Sequence, residues 1–291
     1  MPNATPDLHA TLAGVRALLL DLDGVVVRAG EAVPGSVEAV RTLEERQIPY
    51  RIVTNTSLVS RASLSRWAAK LGNHIPPERF QSALSASAAF ARHHFDGEAL
   101  YVLASDDART EFDGQRLLSH DEAGALDARA AAVIVGDSPE ELTYENLNRA
   151  FRLLRNGARL IGMHRNAWWL TPEGPTMDSG AYVSALEFAA AARASIIGKP
   201  VPAFFSLAVE ALRADVRERG ERRLRRAEIA MVGDDIRTDV LAGQRAGLRG
   251  VFVLSGKHTI DDLEHLRAEG RRMRLPDAVA PSLADVVAAL D

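Results

Sequence analysis

The run Val15-Arg16-Ala17-Leu18-Leu19-Leu20 ends on Asp21-Leu22-Asp23-Gly24, and no other feature constrains the fold as strongly. A short apolar run closed by polar residues and a glycine predicts a buried strand. Carboxylates two residues apart at its end point to the same side of it. In open α/β sheets, ligands bind beyond the carboxyl ends of the strands. Two like charges placed there repel unless a cation lies between them or one of them keeps its proton. The pair therefore predicts a hard metal, an acid–base pair, or both.

The chain then alternates strand and helix signals. Pro34 to Gln47 carries Val37, Val40 and Leu43 near helical spacing. Tyr50 to Asn55 predicts a second strand with a polar end, and Ser60 to Leu71 a helix closed by Gly72. Further on, residues 195–199 read as a strand end, 202–217 as a helix, 228–234 as a strand, 237–246 as a helix and 250–254 as a strand. This order predicts an α/β fold with a doubly wound parallel sheet. Residues 82–182 carry an alternation of their own, with helices at 85–94 and 144–155 and strands at 99–103, 131–135 and 159–163. The expected organisation is a core of residues 1–81 and 183–291, interrupted by an inserted α/β domain at 82–182. The first dozen residues are expected to form a loosely held tail.

Composition narrows the function classes. With 291 residues the chain is long enough for one large or two modest cores. A formal charge of −4 gives no support to a broad nucleic-acid-binding surface. No apolar run approaches the roughly 20 residues that span a bilayer. The chain has no cysteine, which removes disulfides and thiolate chemistry. Together with a start that lacks a basic, apolar leader, this leads to the expectation of a cytoplasmic protein. Only Lys70, Lys199 and Lys257 are lysines among 35 basic residues, so a lysine here suggests a need for a compact point charge.

The predicted strand ends carry complementary polar groups: Asp21 and Asp23, then Thr54 and Asn55, then Lys199, then Asp234, Asp235 and, one turn on, Asp239. A parallel sheet brings such ends to one edge. Carboxylates there suit a divalent metal, and an ammonium with short donors suits phosphate oxygens. Taken alone, Asp234-Asp235 equally predicts a helix N-cap, and Asp239 an exposed helix acid. His93-His94 reads as a surface pair, and His164 with Trp168 as structural residues of the inserted domain.

In order, the strings DLDGV, TNTS, GKP and GDDIRTD resemble the haloacid dehalogenase (HAD) superfamily of phosphohydrolases. The inserted segment, with Gly136-Asp137, Tyr144 to Leu147, Ala150 to Ala158 and Met177 to Glu187, is similar to the large α/β cap of its NagD-like class. Within the class the chain most resembles the phospholysine phosphohistidine inorganic pyrophosphate phosphatases and their close hydrolase relatives, from about Ala17 to Leu290. Thr56 stands where the class frequently has asparagine.

The resemblance implies a Mg²⁺-dependent phosphatase of small phosphorylated metabolites with a Rossmann-like core and a cap. It implies Asp21 as nucleophile, forming an aspartyl-phosphate, and Asp23 as general acid and then base. Thr54, the Asn55 backbone and Lys199 would bind phosphate, and Asp21, the Asp23 backbone carbonyl and Asp234 would hold the metal. Asp239 would support the metal's water shell and the lysine. Asp178 and Ser179, in the loop linking cap to core, would select substrate. Two subunits would pair through the cap. Two other activities suit the same scaffold, a phosphotransferase or mutase and a phospho-accepting signalling module.

Overall fold

The computed structural model describes residues 7–171, 174–268 and 275–290. Within them the chain divides into two compact units. The first takes in the chain up to Thr54, Leu64–Gln81 and the part from Lys199 onward. The second is Asn55–Ser63 with Ser82–Gly198.

The first unit is built on a sheet with the strand order Ala278–Ala280, Arg249–Val253, Ile229–Gly233, Ala17–Leu20, Tyr50–Thr54 and Phe80–Ser82. Its first five strands run parallel. Ala17–Leu20 lies between Ile229–Gly233 and Tyr50–Thr54, with Leu20 level with Val232 on one side and Ile52 on the other. All three strands are buried along their length, as strands covered on both faces must be. Helix Ser36–Glu45 buries Val40 and Leu43 of the expected face together with Ala39, while Val37 is only half-buried. It starts after Gly35, whose φ of 79° lies in the left-handed region that glycine enters without strain.

The second unit has its own five-stranded parallel sheet, in the order Ser195–Ile196, Arg159–Gly162, Ala132–Val135, Ala99–Leu103 and Arg116–Leu117. Alternate residues feed two separate apolar clusters. Leu100, Val102, Ile134 and Ile161 belong to one, and Tyr101, Leu103, Val133, Val135 and Leu160 to the other. This is the period-2 signature of a sheet with both faces covered.

Three expectations change. Strand Ser195–Ile196, assigned above to the core sheet, instead pairs with Arg159–Gly162, and the second unit runs to Gly198 rather than stopping at 182. A two-residue strand carries no periodicity that could have told the sheets apart. The expected N-terminal tail contains helix Leu8–Leu12, with Leu12 buried and the Thr11 hydroxyl donating to the Asp277 carbonyl at 2.8 Å; its first six residues lie outside the described ones. The helix expected at 237–246 begins as a π-helical turn, Ile236–Val240, before the α-helix Leu241–Arg245. Among the described residues no helix is long and apolar enough to cross a membrane.

Candidate active site

Three adjacent strands of the first unit end in polar side chains: Ile229–Gly233 before Asp234, Ala17–Leu20 before Asp21, and Tyr50–Thr54 on Thr54 itself. Because these strands run parallel, the three residues share one edge. Lys199 belongs to the same unit, and its Nζ donates to Asp21 Oδ1 at 2.6 Å and lies 2.7 Å from Asp239 Oδ1. Asp21 Oδ1 also accepts the Leu22 amide at 2.8 Å, which holds the carboxylate in one orientation. Asp21, Asp234, Asp239, Lys199 and Thr54 are all buried.

The expected choice between an N-cap and a site role for Asp234-Asp235 is split between the two residues. Asp235 is the cap: its Oδ1 accepts the Arg237 and Thr238 amides, both at 2.9 Å, and its Oδ2 meets Lys257 Nζ at 3.0 Å. Burial pushes its carboxyl up, but the Thr238 amide and Lys257 outweigh that and hold it below the usual range. Asp234 turns toward Asp21 and accepts the Lys257 amide on Oδ2 at 2.6 Å. The π-turn then carries Asp239 back under the strand end. A Cβ on Gly233 would lie 2.3 Å from Cβ of Asp239, so the close approach requires glycine there. Single π-turns of this kind recur at functional sites.

One oxygen each from Asp21, Asp234 and Asp239 lies within 4.8 Å of the others. Three buried carboxylates around one ammonium leave a formal excess of two negative charges, which a divalent cation offsets. The donors are hard oxygens, the set that Mg²⁺, Mn²⁺ and Ca²⁺ prefer. The acidities record the crowding. Asp239 is pushed up to about 8, first by burial and then by Asp21, against the pull of Lys199. Asp21 is raised to about 6 by burial, with Lys199 opposing and Asp234 and Asp23 adding to it. Asp234 is raised to about 6 by burial and by Asp239. Lys199, although buried, is held strongly protonated by Asp21 and Asp239. This donor set fits a divalent metal, and it includes Asp239, which the sequence suggested only in support.

Asp23 is the exposed member of the leading pair, and its backbone bridges to Val27. Its carboxyl is nevertheless raised, by the crowded surroundings first, with Lys199 opposing and Asp239 adding to the rise. Gly24, with φ of +78°, turns the chain out of the strand, and a Cβ there would lie 2.1 Å from Asp234 Oδ2. Gly24→Ala is expected to combine left-handed strain of about 1–2 kcal/mol with displacement of Asp234. Chemical denaturation together with calorimetric titration of a divalent ion would register both losses.

In the second unit, Asp178 and Ser179 are buried. Asp178 caps helix Ser179–Ala190 by accepting the Ser179 amide at 2.7 Å, and both residues face His164 Nε2, at 3.6 Å from Asp178 Oδ1 and 3.2 Å from Ser179 Oγ. Asn55 also belongs to this unit, directly after Thr54 in the chain. Burial holds the pKa of His164 below its ordinary value, against the opposing pull of Asp178. Below pH ~6.5 the unfolded chain takes up a proton that the folded chain refuses, so stability falls as pH drops, by at most about 1.4 kcal/mol per pH unit. His164→Gln, which does not titrate, is expected to lack that part of the acid loss. Denaturation midpoints of both proteins between pH 7 and 5 give the comparison.

The sequence motifs do not include Gly256, nor do they assign Lys257 to the site. Gly256 lies against Asp234, where a Cβ would come within 2.0 Å of Oδ2, and Lys257 contacts both acids of the pair. The scarcity of lysine was the one signal that pointed to Lys257.

The chain matches two family models, haloacid dehalogenase-like hydrolase over residues 18–117 and HAD-hydrolase-like over residues 196–286. It is 32% identical to the human phospholysine phosphohistidine inorganic pyrophosphate phosphatase, over 92% of this chain and 94% of that one. It is 34% identical to the bovine haloacid dehalogenase-like hydrolase domain-containing protein 2, over 87% of this chain and 89% of that one. Among solved structures, it superposes on a 4-nitrophenylphosphatase from Thermotoga maritima with a TM-score of 0.81 at 25% identity, covering 97% of this chain and 99% of that one. A p-nitrophenyl phosphatase from Archaeoglobus fulgidus gives a TM-score of 0.80 at 25% identity, covering 94% and 99%. With the strand-end acids, the buried lysine and this likeness over nearly its whole length, the chain belongs to the haloacid dehalogenase-like hydrolases, as a phosphatase of the NagD-like class.

Proposed function

We propose that the protein is a Mg²⁺-dependent phosphatase of small phosphorylated metabolites that works through an aspartyl-phosphate on Asp21. The observation that carries this reading is the buried Lys199 ammonium between Asp21 and Asp239, with Asp234 in reach of both acids. Asp21 attacks phosphorus; an Asp21 oxygen–phosphorus bond forms as the bond to the leaving oxygen breaks. Asp23 gives its proton to that leaving oxygen. It then takes a proton from the water that attacks phosphorus, and this second displacement frees Asp21 and inorganic phosphate. The raised pKa of Asp23 suits a group that must hold a proton in the first step and accept one in the second.

The Thr54 hydroxyl, the Asn55 backbone amide and the Lys199 ammonium receive the non-bridging oxygens. The metal, held by Asp21, Asp234 and the Asp23 carbonyl with Asp239 in support, would offset the repulsion between the acids and the phosphate. The second unit acts as a cap that limits substrates to small compounds. Asp178 and Ser179, being buried, influence substrate choice through the helix they start. The absence of cysteine supports a cytoplasmic setting.

The decisive test is turnover of a panel of phosphate esters with and without Mg²⁺, measuring free phosphate against phosphate passed to an added alcohol. Free phosphate that depends on Mg²⁺ and is lost in Asp23→Asn supports the reading. Transfer to the alcohol in preference to water would make the protein a phosphotransferase, and a stable phosphoprotein without turnover would make it a signalling module.

Pairing of two chains through the cap belongs to the same proposal. Trp168 and Met177 are cross-strand partners and are 61% and 56% exposed, and Phe188 is 92% exposed, all in the second unit. Phe188→Glu is expected to shift a dimer toward monomer in sedimentation velocity, and a wild-type monomer at every concentration would sink the pairing.

A further inference from the structure

The second unit holds a buried polar cluster in which only Asp178 and Ser179 have been given a part in the proposed reaction. Ser57, Asp137, His164, Asp178 and Ser179 come from four separate segments, and all are buried. His164 Nδ1 accepts the Asn166 amide at 3.4 Å, so in the neutral ring the proton sits on Nε2. That Nε2 lies 3.1 Å from Ser57 Oγ, and Ser57 Oγ also accepts the Asp137 amide at 2.8 Å. A hydrolytic triad places serine on one ring nitrogen and the acid on the other. Here Ser57, Ser179 and Asp178 all face the same nitrogen, so the arrangement serves to hold rather than to attack.

What it holds is the chain just after Thr54. Residues Asn55–Ser63 follow a strand of the first unit but are compact with the second. Asp107 accepts the Ser60 amide at 2.8 Å, the Ser60 hydroxyl at 3.1 Å and the Ser63 hydroxyl at 2.8 Å. The Ser105 hydroxyl donates to the Leu58 carbonyl at 2.8 Å, and Glu111 accepts the Arg61 amide at 2.7 Å. At the other end, Asn55 Oδ1 lies where a side chain on Gly198 would begin, 2.6 Å from that ideal Cβ. His164 through Ser57 anchors the chain two residues beyond Asn55.

We propose that His164 is a positioning residue for the phosphate-binding segment, aiming the Asn55 backbone amide by holding Ser57. This rests on the phosphatase reading above. A buried neutral imidazole suits the task because its single N–H has a fixed direction, and a misplacement of about 1 Å in a phosphate donor costs on the order of 10²-fold.

The test uses Ser57→Ala, His164→Leu, the double variant and His164→Gln in the full chain. Three quantities are followed: the inhibition constant of inorganic phosphate against p-nitrophenyl phosphate turnover with Mg²⁺, the split between KM and kcat, and the thermal midpoint. Each single variant is expected to weaken phosphate inhibition about tenfold, and the double variant no more than the worse single one, since both break one link. His164→Gln, whose amide can donate to the same oxygen, is expected to recover most of the loss. Phosphate inhibition within twofold of wild type in the single variants, whatever their midpoints, overturns the proposal, as does full additivity in the double variant. Should His164→Leu fail to fold, Ser57→Ala and His164→Gln decide: loss in the first with recovery in the second supports positioning, and any other pattern rejects it. If the wild-type protein neither hydrolyses the ester nor is inhibited by phosphate, the phosphatase reading itself falls, and this inference with it.

Discussion

Asp21→Asn is expected to remove phosphatase turnover, lowering kcat by more than about 10³-fold while the fold survives. Loss of one oxyanion donor from a comparable site costs on the order of 10²–10³, and loss of a nucleophile costs more because no other group forms the covalent intermediate. The neighbouring acids cannot substitute. Asp234 is held by the Lys257 amide, and Asp239 is fully buried against Lys199. Asparagine is nearly isosteric and can still accept from Lys199, so the circular dichroism spectrum and the unfolding cooperativity are expected to match those of the wild type. The measurement is a single-turnover assay with acid quench, in which wild-type protein traps labelled phosphate and the variant does not. Labelling of the variant at the wild-type level would show that phosphorus is captured elsewhere.

Lys199→Met is expected to cost both activity and stability. Among the described residues the ammonium is the one positive group paired with both Asp21 and Asp239, at 2.6 and 2.7 Å. Removing one partner from a buried ion pair costs roughly 3–5 kcal/mol, because the remaining charge is left without compensation. For a domain of this size that corresponds to a midpoint lower by about 10 °C in metal-free protein. The effect has a defined pH dependence. Asp239 already has its folded pKa raised to about 8, above the unfolded value, so its protonated form favours the native state and stability is lost as pH rises through that region. Without the lysine this loss deepens, and the deficit of the variant is expected to be larger at pH 9 than at pH 6. Mg²⁺ that binds only the folded protein would restore part of the midpoint, by an amount that rises with the logarithm of its concentration over Kd. Thermal melts at both pH values, with and without the ion, test all three statements. A variant that melts with the wild type at pH 9 would refute the account of the charge cluster.

The site was legible in the sequence to the extent that each polar group directly follows an apolar run. Asp21 after Ala17–Leu20, Thr54 at the end of Tyr50–Thr54 and Asp234 after Ile229–Gly233 needed only the rule that a parallel sheet gathers its carboxyl ends. The division of labour between Asp234 and Asp235 was not legible, since both fit an N-cap and only the path of the turn decides which one caps. Asp239 looked like an exposed helix acid because a π-turn and an α-turn share the same letters, and the extra residue in the turn is what buries it. Gly256 and Lys257 stood in a loop without periodicity.

The amino-acid sequence by itself determined the class of fold, the existence of an inserted α/β segment and the residue types that meet at the sheet edge, because strand and helix periods and turn residues are local properties of the chain. Only the tertiary structure decided that Ser195–Ile196 joins the second sheet, that residues Asn55–Ser63 are compact with the second unit, and that Asp239 shares an ammonium with Asp21. Each of these depends on contacts between segments far apart in the chain. They are settled by which buried charge finds a partner and which short strand finds an open edge, and no local pattern encodes either outcome.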